Sequence, residues 1–339
     1  MARPLDWFYA TTQACYMATA SGLRWATGAL DIQTAPAVKE GVRKVWVGSG
    51  GGDLITLDAL NGNIVRTVSL GSGICYTGCH RPNVIAATMD GHVFAIDLQT
   101  EVVRWSAEVG GPGGRATSAV ETMDVLLVAP FEAAAQAFDA YSGALLWQAP
   151  YWALSVSADS GVFYLTNLGH QLEARNATDG SVTWSLTDPN VNYASITAVG
   201  ATVYAGREDD TVYALGASSG VLKWGSSLPQ TPGKPLYSAL YPSGAVLIVP
   251  FAHGAYPGMA GLDAKTGAQN WVVEFPGGQI GEEAIAPVMR YFTGCIGLPF
   301  EGSVFFYANT GQLLWEWSPG VLLNGLAYLH GDVESWPHP

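Results

Sequence analysis

Any chemistry in this 339-residue chain has to come from a short set of side chains. Residues 75–80 read CYTGCH, two thiols and an imidazole in one run. Covalent haem attachment needs about two residues between the cysteines, and here there are three. Zinc needs a fourth ligand that nothing nearby in the sequence supplies, and no calcium loop of alternating aspartates occurs. There is no G-x-S-x-G nucleophile turn and no phosphate loop. What remains is acid–base or electrostatic work on a bound organic molecule, with no cofactor and no metal expected. His253, in FAHGAYPGM, is the general-base candidate by chemistry. Arg115 could hold an anion or an enolate oxygen. Glu282 or Glu283 could move a proton if burial raises its pKa. Tyr76, Trp152, Tyr193, Tyr237 and Tyr256 would wall such a site, with Asn324 as an amide handle and Tyr151 and Asn192 as neighbours in register. His80 falls at the far end of its strand and is a poor catalytic candidate.

Composition narrows the classes. The formal net charge is -13, and the 15 Lys and Arg form no stripe, so neither nucleic acid nor an anionic membrane is an expected partner. Apolar residues make up 49% of the chain but come in short runs, well under the roughly 18 residues of a membrane helix. The first residues lack a clean apolar stretch before a cleavage site, so a cytoplasmic location is expected, or a secreted one if the chain is a processed form. Four cysteines in a chain this long read as free, mostly buried thiols.

The elements that must position these residues are set by a repeat. SGALLW ends at Trp147, DGSVTW at Trp184, SGVLKW at Trp224, TGAQNW at Trp271 and TGQLLW at Trp315. The turn position of each unit runs Gly22, Gly62, Glu101, Gly143, Gly180, Gly220, Gly267, Gly311, in steps of 40, 39, 42, 37, 40, 47 and 44 residues. Within a unit, short strand-forming runs alternate with turn residues, as in YASITAV, ATVYAG, TVYALG and VLKWGS. Turns this short make the strands antiparallel. Eight such units predict an all-β, eight-bladed propeller of four-stranded blades. The expected single domain, 1–339, has blades at about 6–28 plus 321–329, 32–68, 73–107, 115–149, 151–187, 192–226, 236–274 and 282–317. Its last blade would be closed by the C-terminal strand pairing with the N-terminal strands, locking the ring.

With VWVGSGGGDLITLDALNG (45–62), MDGHVFAIDLQTE (89–101), TVYALGASSG (211–220) and GLDAKTGAQNW (261–271), the chain resembles the quinoprotein-type, pyrroloquinoline-quinone-like propeller repeats over nearly its whole length. The resemblance implies that Trp105, Trp147, Trp184, Trp224, Trp271 and Trp315 dock between blades. Trp25 sits one residue early, and Arg66 replaces the indole in the second unit. It also implies a structural role for Asp58, Asp97, Asp139 and Asp263, whose carboxylates can bond the N–H groups of the following turn. The family's dehydrogenases are implied to add an adjacent cysteine pair over the quinone and Glu, Asn and Asp ligands for calcium. This chain has no adjacent cysteines and lacks those enzymes' long insertions. Quinone-dependent dehydrogenation is therefore the least supported alternative.

In a propeller the inner strands line a central channel, and the loops entering them share one face with the turns between second and third strands. The leading expectation is a small unsaturated organic molecule bound at that mouth, with cyclisation, isomerisation or elimination as its possible chemistry. The competing readings are that the aromatics simply fill the channel, and that the chain is a non-catalytic scaffold binding a protein partner on the rim, as an outer-membrane assembly lipoprotein of similar architecture does.

Overall fold

A computed structural model describes residues 6–11, 13–19, 22–39, 41–110, 115–228, 240–253, 256–274, 296–300, 303–317 and 325–329. Every strand in it pairs antiparallel with its neighbours, and nearly all the links are short hairpins. Taken in chain order, the first sheet holds Asp6–Ala10, Cys15–Thr19 and Gly22–Ala26 with Gly325–Leu329. The second holds Ala37–Val38, Lys44–Gly48, Asp53–Asp58 and Ile64–Ser69, and the third Ile74–His80, Asn83–Thr88, His92–Asp97 and Val103–Glu108. Ala116–Thr122, Val125–Pro130, Ala134–Asp139 and Leu145–Trp152 make the fourth. The fifth is Ser155–Asp159, Val162–Asn167, Gln171–Asn176 and Val182–Thr187, and the sixth is Tyr193–Val199, Thr202–Arg207, Thr211–Gly216 and Leu222–Ser227. The seventh runs Tyr241–Ser243, Val246–His253, Tyr256–Asp263 and Gln269–Glu274, and the eighth Ile296–Phe300, Ser303–Tyr307 and Leu313–Trp317.

Two parts of the expected fold are corrected. Eight four-stranded blades were expected, and the described residues form seven four-stranded sheets and one of three strands. The inner strand expected from residue 282 lies outside the described residues. Closure was also expected, and among the described residues no sheet is closed by hydrogen bonds. Gly325–Leu329 does pair with Asp6–Ala10, Asp6 opposite Leu329 and Ala10 opposite Gly325. It thereby becomes the edge strand of an open sheet whose other edge is Gly22–Ala26. The physical reason is width: a sheet needs about eight strands to curl round and bond its own edges, and four remain an open, twisted ladder.

The chain forms two compact units, Met1–Gln148 with Val321–Pro339, and Ala149–Gly320. In each, a sheet packs its apolar face on the next. In the first unit Ile85, Ala87, Val93 and Ala95 of the third sheet meet Ala116, Leu126, Val128 and Phe138 of the fourth. In the second, Tyr164, Leu172 and Ala174 of the fifth meet Ile196, Val203, Ala205 and Leu215 of the sixth. Strands covered on both faces, such as Asn83–Thr88 and Val125–Pro130, are buried at every residue, which is why their sequences do not alternate.

The recurring tryptophan is a joint between sheets. The indole N–H groups of Trp25, Trp105, Trp184, Trp224 and Trp271 donate to the carbonyls of Ala59, Ala140, Ala217, Ala264 and Asn309, at 3.0, 3.0, 2.8, 3.2 and 2.6 Å. Each acceptor lies in the turn before the last strand of the next sheet. Trp25 makes the bond despite its one-residue offset. The same turn's glycine, at φ of 72° for Gly62 and 71° for Gly143, lies against the indole face. A Cβ on Gly143 would come 2.6 Å from the Trp105 ring, so the position needs glycine for space as well as for backbone conformation. As expected, Asp97, Asp139 and Asp263 accept N–H bonds from Thr100, Ser142 and Thr266 at 2.6, 2.7 and 2.8 Å.

Candidate functional site

The expected site residues fall into three groups. Glu282, Glu283, Tyr237 and Asn324 lie outside the described residues. His253 and Tyr256 are described through their backbone alone, and the long rim loop expected there is an extended hairpin in which the two residues stand opposite each other as its last pair. The remaining candidates divide between the two units, Tyr76 and Arg115 in the first, Trp152 and Tyr193 in the second.

In the first unit Tyr76 is held by its own strand. Its hydroxyl donates to the Ala119 carbonyl at 3.3 Å and lies 3.0 Å from His80 Nε2. With the hydroxyl proton spent on Ala119, His80 Nε2–H is the donor to the Tyr76 oxygen. Gly78 between them makes the approach possible, since a Cβ there would sit 2.5 Å from that oxygen and 2.9 Å from Nε2. Burial, with a smaller push from Lys39, lowers the His80 pKa to about 4, so the ring is neutral at neutral pH. Burial likewise raises the Tyr76 phenol. This is a locked neutral pair that leaves Tyr76 little freedom to serve as a ligand wall. Arg115 is exposed, and its guanidinium lies 5.2 Å from the centre of the Phe131 ring. Its carbonyl accepts the Phe131 N–H at 2.8 Å. The Cys15, Cys75 and Cys79 thiols are free, Cys15 buried and the other two half-buried.

In the second unit Trp152 is half-buried, and Tyr193 is buried against Arg207. Arg207 is the residue that sequence reasoning missed. It is 4% exposed, with its guanidinium 4.4 Å from the Tyr213 ring centre and 5.9 Å from that of Tyr193. Its Nη2 pairs with Asp188 at 2.5 Å and Asp209 at 3.3 Å. Asn192 Nδ2 donates to Glu208 at 2.9 Å. A second missed cluster surrounds Tyr151, whose hydroxyl donates to Glu173 at 2.5 Å, while Arg175 pairs with the same carboxylate at 2.6 Å and lies 5.7 Å from the Tyr151 ring centre. Burial and the Glu173 carboxylate both push the Tyr151 phenol up. A signal was available: Glu173 and Arg175 occupy the positions of Phe94 and Ile96, or of Tyr213 and Leu215, in the other third strands. Charge at positions that are uncharged in the other described third strands marks a local departure from the blade pattern.

Residues 131–323, more than half of the chain, match the family described as outer membrane protein assembly factor BamB. The chain belongs to this family. Among solved structures it is similar to BamB from Moraxella catarrhalis, with a TM-score of 0.69 at 15% identity over 88% of this chain and 96% of that one. It is equally similar in fold to a europium-containing methanol dehydrogenase, with a TM-score of 0.69 at 13% identity over 88% and 80% of the two chains. The quinohemoprotein alcohol dehydrogenase ADHIIG from Pseudomonas putida HK5 gives 0.64 at 13% over 88% and 68%. No curated protein sequence matches. These likenesses establish an all-β, propeller-like fold found both in the BamB family and in quinoprotein dehydrogenases. Among the described residues no group of three His, Cys, Asp or Glu is placed to share a metal ion, and no helix is long and apolar enough to cross a membrane.

Proposed function

We propose that this BamB-family chain is a non-catalytic scaffold that binds a protein partner at the sheet ends carrying the turns between second and third strands. One observation carries the reading. In the first unit two successive sheets present a large apolar residue to solvent at the matching turn, Met89 at 49% exposure and Phe131 at 38%, and in the second unit Leu168, at 53%, holds the same repeat position. Apolar exposure also recurs at the start of the fourth strands, in Ile64, Leu145, Val182 and Leu222, where strand propensity accounts for it; at the tip of a turn it does not. In the first unit these turns also carry the acids Asp90 and Glu132, as a polar rim around apolar contacts would. Meanwhile several side chains suited to holding a small molecule are engaged within the protein, Tyr76 by His80 and Ala119, Tyr193 by Arg207.

The test places a photo-crosslinking benzoylphenylalanine at Met89, Phe131 or Leu168, with Tyr141 and Val221 at the opposite sheet ends as controls. The expected result is a discrete protein adduct from the first three sites and none from the controls. Equal adducts at both ends would overturn the reading. So would the absence of any adduct with a stoichiometric small molecule bound, which would restore the alternative of an unsaturated organic ligand held by Tyr76, Arg115, Trp152 and Tyr193.

A further inference from the structure

In the first unit the exposed Met89 stands on a floor of glycines at the joint between the second and third sheets. A Cβ on Gly73 would come 3.6 Å from Met89 Cγ and 2.9 Å from the Gly50 carbonyl oxygen, and one on Gly50 would come 2.5 Å from Asp31 Oδ2. These approaches join the segments at 31–33, 49–52, 71–73 and 89–92 into one patch. Main-chain bonds hold it together. Gly50 N–H donates to Asp31 at 2.9 Å, Ile74 to Ser49 at 3.0 Å, Leu70 to Gly52 at 2.8 Å and Met89 to Gly73 at 2.7 Å. Gly50, Gly51 and Gly71 are exposed, so the floor beside Met89 is bare main chain. Packing explains Gly50, Gly52 and Gly73, where an added Cβ would come 2.5, 2.8 and 2.9 Å from other atoms, and a φ of 89° explains Gly71. Neither explains Gly51, which is not at positive φ and where a Cβ would meet nothing closer than Ser49 Oγ at 3.7 Å.

Three exposed carboxylates border the patch, Asp31, Asp90 and Glu108. Gln33 Nε2 donates to Asp31 at 3.0 Å. Asp90 accepts from the Thr88 hydroxyl at 2.6 Å and lies 3.4 Å from His92 Nδ1. Glu108 stands opposite His92 in the strand ladder. Among the described residues none of the three pairs with a Lys or Arg, and Arg115 of the fourth sheet has its guanidinium over Phe131.

We infer that this patch seats a segment of the partner protein in which an apolar side chain is flanked by Lys or Arg; the inference rests on the scaffold reading and names the partner's chemistry. The apolar side chain packs on Met89, whose unbranched thioether adapts to its neighbours. The cations meet Asp31 across the glycine floor and Asp90 and Glu108 beside Met89, all in the open, where no charge has to be buried. Bare glycine lets the partner's main chain come into contact with the floor, and a side chain at residue 51 would hold it off. The floor is already bonded, so docking has little of it to order.

The probe is a fluorescein-labelled octapeptide repeating Ser-Lys-Leu-Lys, titrated by anisotropy at physiological salt. Its controls repeat Ser-Glu-Leu-Glu and Ser-Lys-Ser-Lys. The Lys-Leu peptide should bind, the Glu-Leu peptide should not, and the peptide without leucine should bind roughly 10-fold more weakly. Met89→Ser should bring the Lys-Leu peptide to within about 2-fold of the peptide without leucine. Asp90→Asn/Glu108→Gln should weaken the Lys-Leu peptide by roughly 5-fold. Asp124→Asn/Asp179→Asn, an equal change of charge on turns at the other sheet ends, should change it by less than about 2-fold. Gly51→Gln should melt like the wild type and bind roughly 5-fold more weakly. Equal weakening by the two charge pairs, equal binding with and without leucine, or a folded Gly51→Gln variant that binds like the wild type overturns the inference. So does a wild type that dimerises through Met89, which would give the face to a second copy. If the wild type ignores the Lys-Leu peptide while adducts still form at Met89, Phe131 and Leu168, the inference falls and the scaffold stands. If the peptide binds here but no adduct forms at any of the three, the scaffold reading falls, and the partner inferred from it falls too.

Discussion

The two ends of each sheet are built on different rules. At the end holding the turns between third and fourth strands, one arrangement recurs: an indole donating to a turn carbonyl, a left-handed glycine against its face, and in several turns a carboxylate bonding N–H groups. At the other end only an exposed apolar turn residue recurs, in Met89, Phe131 and Leu168, and around it each sheet carries its own set: Arg115 on Phe131, or Arg207 between two tyrosines. The repeating end has one solution to a packing problem and keeps it. The variable end is free of that constraint, and recognition can be built there.

The repeating end contains its own control. Where the second sheet has Arg66 in place of the indole, the third has Glu101 in place of the glycine, at a φ of 57°. Arg66 bonds the Thr100 carbonyl at 3.1 Å and Lys44 pairs with Glu101 at 3.3 Å. With no ring against the turn a Cβ has room, so the two departures are one event.

The largest loss should come from Trp105→Ala, which removes an indole that is mostly buried, with its hydrogen bond. Urea denaturation should show a cost of about 3–5 kcal/mol, with the face at Met89 unaltered once folded. Gly143→Ala should cost roughly 2–4 kcal/mol, since the new methyl meets Trp105 at positive φ. Lowering the pH should bring a smaller effect. His80 titrates near 4 when folded, below the ordinary histidine value, so between about pH 6.5 and 4 the unfolded chain takes up a proton that the folded one refuses. Stability should fall by roughly 1–3 kcal/mol across that window, and His80→Gln should flatten the slope. The smallest effect sharpens the comparison. Glu101→Gly should be within about 1 kcal/mol of neutral in the wild type, as a lost ion pair offsets a relieved φ, but should become stabilising alongside Arg66→Trp.

Much of this was legible in the sequence. Spacing of glycine and tryptophan located the sheets, and the Asp turn bonds followed from the position of Asp97, Asp139 and Asp263 ahead of the turn. The four-strand width of the sheets was legible, but not that a sheet so narrow keeps two open edges, so closure was expected where the sheets are open. The site was legible only as a face. Tyr193 was named for its place in the repeat, whereas Arg207 escaped because its partners, Asp188 and Asp209, lie on different sheets' loops and meet only after folding. Tyr76 looked like a ligand wall because nothing in CYTGCH reveals that a glycine two residues on lets His80 reach its hydroxyl.

The division between a structural end and a recognition end is tested most directly by pairing stability with adduct formation in two triple variants. With the photo-crosslinker on the Asp90 turn, Met89→Ser/Phe131→Ser/Leu168→Ser should melt within a few degrees of the wild type and lose the partner adduct, while Tyr141→Ser/Val199→Ser/Val221→Ser should melt similarly and keep it. An adduct that survives the first triple, or disappears equally in both, would contradict the account.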